Sequence, residues 1–321
     1  MKNLNNIINF FAGLIISTIL LYIIFFKNPE NWKNIQEVLQ TCNYNFIFIS
    51  IVFGALALIS RAIRWKILIK SLGYNTTTTK SSVAVGIGYF SNLIIPRIGE
   101  IIRCSSLSRI TKIPFDKLFG TIILERIIDL FMMFILTLLI LITQKEIFIK
   151  FLNLAKKEIS ELYNQNNILS ILVILIILFI IILFIYKKIT SKIKTFIQGV
   201  KTGILSIKTI ENKFSFISHT IFIWFMYVMM TYVCFFAFEA TKILDFKNGL
   251  YTMVVGGYAM MMPVQGGLGS YHLFVSKGME LLNINTDVGV AFATAVHGAQ
   301  SLMTILIGLI AILVFIYIKK K

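Results

Sequence analysis

Acidic residues are scarce in this chain. Only 14 Asp and Glu stand against 31 Lys and Arg, which leaves a formal net charge of +17 over 321 residues. Long polar stretches are lacking as well. None between the apolar runs could bury a core of its own, so no separate soluble domain is expected. Nucleic-acid binding needs an exposed basic face on a soluble module, and without one the surplus charge is a topology signal. Positive residues that flank membrane spans mark the cytoplasmic side, and the same charges suit anionic lipid headgroups. Cysteine is limited to Cys42, Cys104 and Cys234, far apart and without ligand spacing; they read as ordinary apolar or surface residues. His219, His272 and His297 make no HExxH or related metal pattern. GxSxG, P-loop and dinucleotide fingerprints are missing too, and Gly86-x-Gly88 leads into no nucleotide motif. Neither a metal nor a cofactor is expected. The N-terminal segment also lacks the marks of a cleavable signal peptide: Lys2 is alone in its n-region and no small-x-small site follows Phe26.

What the chain has in abundance is apolar length. Hydrophobic residues make up 57% of it and the mean hydropathy is +0.84. Residues 7–26, 168–186 and 216–238 carry almost no charge, and each has about the 20 residues needed to cross a hydrocarbon core. Residues 46–60 continue helically through Arg61, Arg64 and Lys66, whose long stems can snorkel. Residues 118–143 and 288–318 are long and interrupted by polar side chains. Acid-free basic stretches follow residue 60, and a second basic stretch runs from Lys187 to Lys213; three other connections are nearly balanced. With basic stretches inside and balanced ones outside, both termini are cytoplasmic and about six spans result. Asn75-Thr76-Thr77 matches a glycosylation sequon, but it falls in a connection placed inside.

Two apolar segments are left over, 82–107 and 249–282. A single crossing by either would invert the sidedness of everything downstream. Each is broken in its middle, at Pro96-Arg97-Ile98-Gly99 and at Pro263-Val264-Gln265-Gly266-Gly267-Leu268-Gly269. Two half-length helices joined by such a break describe a re-entrant hairpin, tolerated at membrane depth where protein or a wet cavity surrounds it. The expected fold class is therefore all-α: a polytopic membrane protein of about six spans plus two re-entrant broken-helix hairpins. Span, span, hairpin, span occurs twice, over 1–143 and again over 168–321, in opposite orientation. Inverted repeats with broken helices in matching positions point to a binding site near the midplane.

Several polar residues could form that site. Pro96 suits the first turn of a helix that would carry Arg97, Glu100 and Arg103, with Glu100 three residues from each arginine. The helix start favours an anion, and a lipid phosphate is the obvious one; a structural ion-pair knot at the hairpin tip is the alternative. Glu125, Arg126 and Asp129 lie well inside the span 118–143, where charges normally face a bundle interior or water. Their natural partners are the arginines of the first hairpin, in a substrate path or in a structural network. In the second hairpin Gln265, Gly267, Gly269, Ser270, Tyr271 and His272 supply polar atoms and open backbone, although small residues also serve close helix packing. His297, Gln300 and Ser301 form a polar stripe on the last span that suits interhelical hydrogen bonding.

Taken together, these motifs resemble the transmembrane region of the lysylphosphatidylglycerol synthase/flippase proteins. The matching residues are Arg64-Trp65-Lys66 with Gly73, Asn92 with Pro96-Arg97-x-Gly99-Glu100-x-x-Arg103, Glu125-Arg126-x-x-Asp129, and Pro263 with Gly266-Gly267-x-Gly269. They fall in the right order along the whole chain. The resemblance implies a bacterial inner-membrane protein that moves a lipid between leaflets, whether an anionic or zwitterionic phospholipid or a polyprenyl-linked lipid. It also places Asn92 among the site residues. Members fused to an aminoacyl-transferase domain make lysyl-lipid; this sequence has no such domain, so that synthase activity is not expected of it. One departure is His272, which stands where a carboxylate is expected and offers a titratable imidazole instead. An intramembrane lipid-linked transferase and a regulatory partner of an envelope enzyme remain alternative readings. The lipid, the direction, the energy source and the oligomeric state, a homo-oligomer included, stay open.

Overall fold

The computed structural model describes residues 15, 17–25, 29–162, 191–262 and 264–320. The expected span 168–186, most of the N-terminal half of the span 7–26, and Pro263 lie outside the described residues. Among those described, every regular element is helical. The chain runs through α1 (Pro29–Gln40), α2 (Tyr44–Ser71), α3 (Thr78–Ile94), α4 (Gly99–Thr111), α5 (Phe115–Thr143) and α6 (Lys145–Leu162). After residue 190 come α7 (Ser191–Leu205), α8 (Lys213–Tyr232), α9 (Phe246–Met260), α10 (Ser270–Glu280) and α11 (Thr286–Lys320). Four of these are long and apolar enough to cross a membrane: Tyr44–Ser71, Phe115–Thr143, Lys213–Ala237 (α8 with its 3₁₀ extension) and Thr286–Lys320. The chain is thus an all-α, multi-pass membrane protein. Their outward faces are apolar and uncovered, as Phe131, Phe134 and Leu130 on α5 and Leu306, Ile310 and Leu313 on α11 illustrate. In water such a surface would aggregate; in lipid it is the solvated one.

The helices begin where the sequence offers a cap. Asn43, Thr77, Asn212 and Asp245 each accept a hydrogen bond from a backbone N–H in the first turn of α2, α3, α8 and α9. Helix α4 begins differently, because the Asn92 side chain of α3 accepts from Gly99 N–H at 2.7 Å. That bond ties the start of α4 to the end of α3, and the two helices fold back on one another. Gly88 faces Arg103 and Gly99 faces the Gly88 carbonyl so closely that a Cβ at either glycine would collide. The second pair, α9 and α10, closes in the same antiparallel sense. Ser270 Oγ donates to the Ala259 carbonyl at 3.0 Å, and Tyr251 donates to the Gly278 carbonyl at 3.3 Å.

Each hairpin organises a core. Tyr251, Val255, Val275 and Met279 pack with Phe235 and Phe292 around the second; Trp65, Val85, Cys104, Leu107 and Ile122 pack around the first. All three cysteines are free and buried. Helices α1, α6 and α7 are amphipathic connectors where the sequence pattern suggests plain connections. The last of them crosses α5 with Gly203 against Gly120, a contact that leaves no room for a Cβ on either.

Candidate functional site

Arg61 and Arg64 are three residues apart on α2 and so share a face. Glu125 and Asp129, four apart on α5, oppose them. Arg61 Nη1 lies 2.9 Å from Asp129 Oδ2, and Arg64 Nη2 lies 3.0 Å from Asp129 Oδ1 and 3.4 Å from Glu125 Oε1. Arg103 enters from α4 and reaches Glu125 Oε2 at 2.7 Å. Trp65 forms the floor. Its ring centroid is 3.9 Å from the Arg103 guanidinium carbon, a cation–π contact, and its Nε1 donates to Thr121 Oγ1 at 2.8 Å. Tyr227 from α8 accepts from Arg61 Nη2 at 3.3 Å, and Tyr89 from α3 lies 3.5 Å from it.

These charges are withdrawn from solvent. Arg64 and Glu125 have no exposed surface, Arg61 and Arg103 keep 3% each, and the Asp129 side chain 12%. Three guanidinium groups therefore face two carboxylates, an excess of one positive charge. The rim does not change the balance: Arg126 lies 3.5 Å from Glu100 and 3.8 Å from Asp129, and Arg126 and Glu100 together add no net charge. Donors are in surplus too. The Nε atoms of Arg61, Arg64 and Arg103, together with Arg103 Nη2, are buried without a hydrogen-bond partner. A buried, positively charged cluster with unused donors is chemically complementary to an anion that brings several acceptor oxygens.

Several residues sit elsewhere than the sequence suggests. Helix α4 starts at Gly99, beyond Pro96 and Arg97, and Arg97 itself adopts a left-handed backbone with φ 62°. Its exposed side chain leaves the arginine cluster and donates to the Met261 carbonyl, just past the end of α9, at 2.9 Å. Glu100 consequently touches neither Arg97 nor Arg103 and pairs with Arg126 instead. Glu125 does find the first hairpin's Arg103, whereas Asp129 is held by Arg61 and Arg64. Those two arginines explain more than span-end snorkelling: they form the middle of the cluster. The signal for them was the acid-free run on α2, since two carboxylates deep in α5 need more cations than one hairpin supplies.

The Arg97 contact also brings the two hairpin breaks together, for a Cβ on Gly266 would come within 2.8 Å of Leu93. Behind this junction is a second polar group. His297 of α11 has Nε2 2.7 Å from the Gly266 carbonyl, and its ring stacks on Tyr271 at 5.2 Å between centroids. His272 lies edge-on to His297 at 5.3 Å, buried, with Nδ1 unpartnered. Ser17 Oγ donates to Gln265 Oε1 at 3.3 Å. Gly266, Gly267 and Gly269 all have positive φ, of 53°, 78° and 81°, which the turn requires and side chains resist. Gln300 donates across helices to Ser50 Oγ at 3.0 Å, in keeping with an interhelical role. His219 faces Ser60 Oγ at 2.8 Å. The candidate residues thus divide into an arginine cluster built from α2, α4 and α5 and a histidine group on α10 and α11, while Arg97 ties the two hairpin breaks together.

Comparison with known proteins places the chain among membrane proteins. The UPF0104 membrane protein MJ1595 of Methanocaldococcus jannaschii is 30% identical over 110 residues, which is 33% of this chain and 33% of the relative. The aligned stretch therefore spans about a third of that relative's length. No solved structure matches the chain significantly. The family description "Lysylphosphatidylglycerol synthase TM region" matches residues 10–308, nearly the whole sequence, and the chain belongs to this family of lipid-associated membrane proteins.

Proposed function

We propose that this protein is a lipid translocase, moving a phospholipid or lipid-linked headgroup between the leaflets of the cell membrane. The observation that carries the reading is the buried cluster of Arg61, Arg64 and Arg103 against Glu125 and Asp129, with its surplus positive charge and unused N–H donors. A phosphate diester would supply the missing charge and the missing acceptors together. The acyl chains stay in lipid while the headgroup follows the polar path from the arginine cluster past Arg97 to the histidine group.

In this reading both hairpins are re-entrant, and the lengths of their helices support that. Their helices have 17, 13, 15 and 11 residues. At 1.5 Å per residue they reach roughly 17–26 Å, short of the ~30 Å hydrocarbon core. The packing scheme supports an inverted repeat of 1–143 and 168–321. Helix α3 of the first hairpin lies against α11, and α9 of the second lies against α5, while the corresponding helices α2 and α8 pack on each other. Exchange of partners of this kind is what a pseudo-two-fold axis in the membrane plane produces. By the distribution of basic residues both termini are cytoplasmic, and an inner (plasma) membrane is the setting.

Native mass spectrometry of the purified protein tests the reading. A phosphate-bearing lipid should remain on the wild-type chain and be lost from Arg103→Gln, which removes the surplus charge and leaves Arg61 and Arg64 balanced by Glu125 and Asp129. Equal lipid retention by both proteins counts against the cluster as the headgroup site.

A further inference from the structure

A polar cleft lies at the end of the bundle where α2 passes into α3 and where the chain enters α8. The cleft there has a volume of about 240 Å³. Lys66 and Lys70 line it from α2, with Ile63 and Ile67 on the same stripe. Arg61, Arg64 and Leu68 centre two residues away, or about 200° around the helix, so the cleft occupies the face opposite the arginine cluster and is separate from it.

Its chemistry is one-sided. Lys66 Nζ has only a weak contact, to Thr78 Oγ1 at 3.4 Å. Lys117 Nζ donates to the Tyr74 oxygen at 2.9 Å; an ammonium only donates, so that contact leaves the phenolic hydrogen of Tyr74, a lining residue, free to donate. Thr76 Oγ1 is buried with no partner. Helices α3 and α8 both start beside the cleft, and their first-turn N–H groups favour negative charge. The one anion present is Glu211, whose carboxylate lies 2.7 Å from Lys70 Nζ. That contact holds the Glu211 carboxyl below its ordinary range, so the carboxylate occupies Lys70 as an incoming anion would.

We infer that this cleft is a phosphate-binding site, in which Lys66, Lys70, Tyr74 and Thr76 take the oxygens of a phosphate ester and Glu211 gives up Lys70 to it. The ester is either a lipid headgroup at the membrane surface or a soluble phosphate; the chemistry is the same. The cleft would bind it whether or not the arginine cluster is a lipid site.

The test is calorimetric titration of the purified full chain in detergent, at constant ionic strength, with glycerol 3-phosphate and with dihexanoyl phosphatidylglycerol. Saturable binding of either probe is expected. It should weaken about tenfold, a loss of about 1.4 kcal/mol, in Lys66→Gln/Lys70→Gln. Binding should tighten in Glu211→Gln, which removes the competing carboxylate from an exposed position and does not threaten the fold. Equal affinity for both probes assigns a soluble ester, and binding of the lipid alone assigns a headgroup. Absence of saturable binding, or the same affinity in wild type and both variants, overturns the inference. Failure of the arginine-cluster reading would appear in Arg103→Gln and leave these titrations as they are.

Discussion

At Glu125 one carboxylate, with no exposed surface, accepts from Arg64 at 3.4 Å and Arg103 at 2.7 Å. Removing one partner of such a group leaves uncompensated charge in a low dielectric. Glu125→Leu would set three arginines against Asp129 alone, and should destabilise the protein by roughly 3–5 kcal/mol, read as a fall in melting temperature in detergent. Arg97 is the opposite case. It is exposed and makes one hydrogen bond to Met261, worth about 0.5–1.5 kcal/mol at most. Arg97→Gly keeps the left-handed backbone and relieves its cost, so the melting temperature should hold while lipid transfer slows. If transfer is unaffected, the junction between the hairpins has no part in the path. At this scale the sequence exposed half of the site. Glu125 and Asp129 stand out as charges inside an apolar run, but Arg61 and Arg64 sit near a span end, where snorkelling explains them equally well. The departure of Arg97 depends on a positive φ that a single arginine does not advertise.

The element scale is governed by how closely the hairpin helices approach. A Cβ on Gly99 would run into the Gly88 carbonyl oxygen and the Asn92 side chain, and backbone cannot yield as a flexible side chain can. Gly99→Ala should therefore cost about 1–3 kcal/mol by overpacking. Gly298, in the middle of α11, has open space where a methyl group would stand, with nothing within 4 Å, and Gly298→Ala should hold or gain up to about 1 kcal/mol from helix propensity. Paired thermal melts of these two variants check that a tight crossing, rather than glycine content, sets hairpin stability. Both hairpins were legible as apolar segments broken by Pro and Gly, and the long helices as membrane-length runs. Helices α1, α6 and α7 were not. Their amphipathic patterns are short and polar, and only packing against the long helices selects the helical state.

Across the whole molecule, two hairpins meet at their breaks, with a cation-rich cluster on one side of the junction and paired histidines on the other. Family membership and the apolar outer surface place this assembly in a lipid bilayer, and the surplus charge of the cluster gives it a reason to attract phosphate. The decisive quantity is the rate at which a headgroup-labelled phospholipid changes leaflet in proteoliposomes containing the purified chain. Wild type should move the label faster than protein-free vesicles, and Arg103→Gln, folded by its melting curve, should fall to the protein-free rate. Transfer by Arg103→Gln at the wild-type rate would contradict phosphate recognition by the buried arginines.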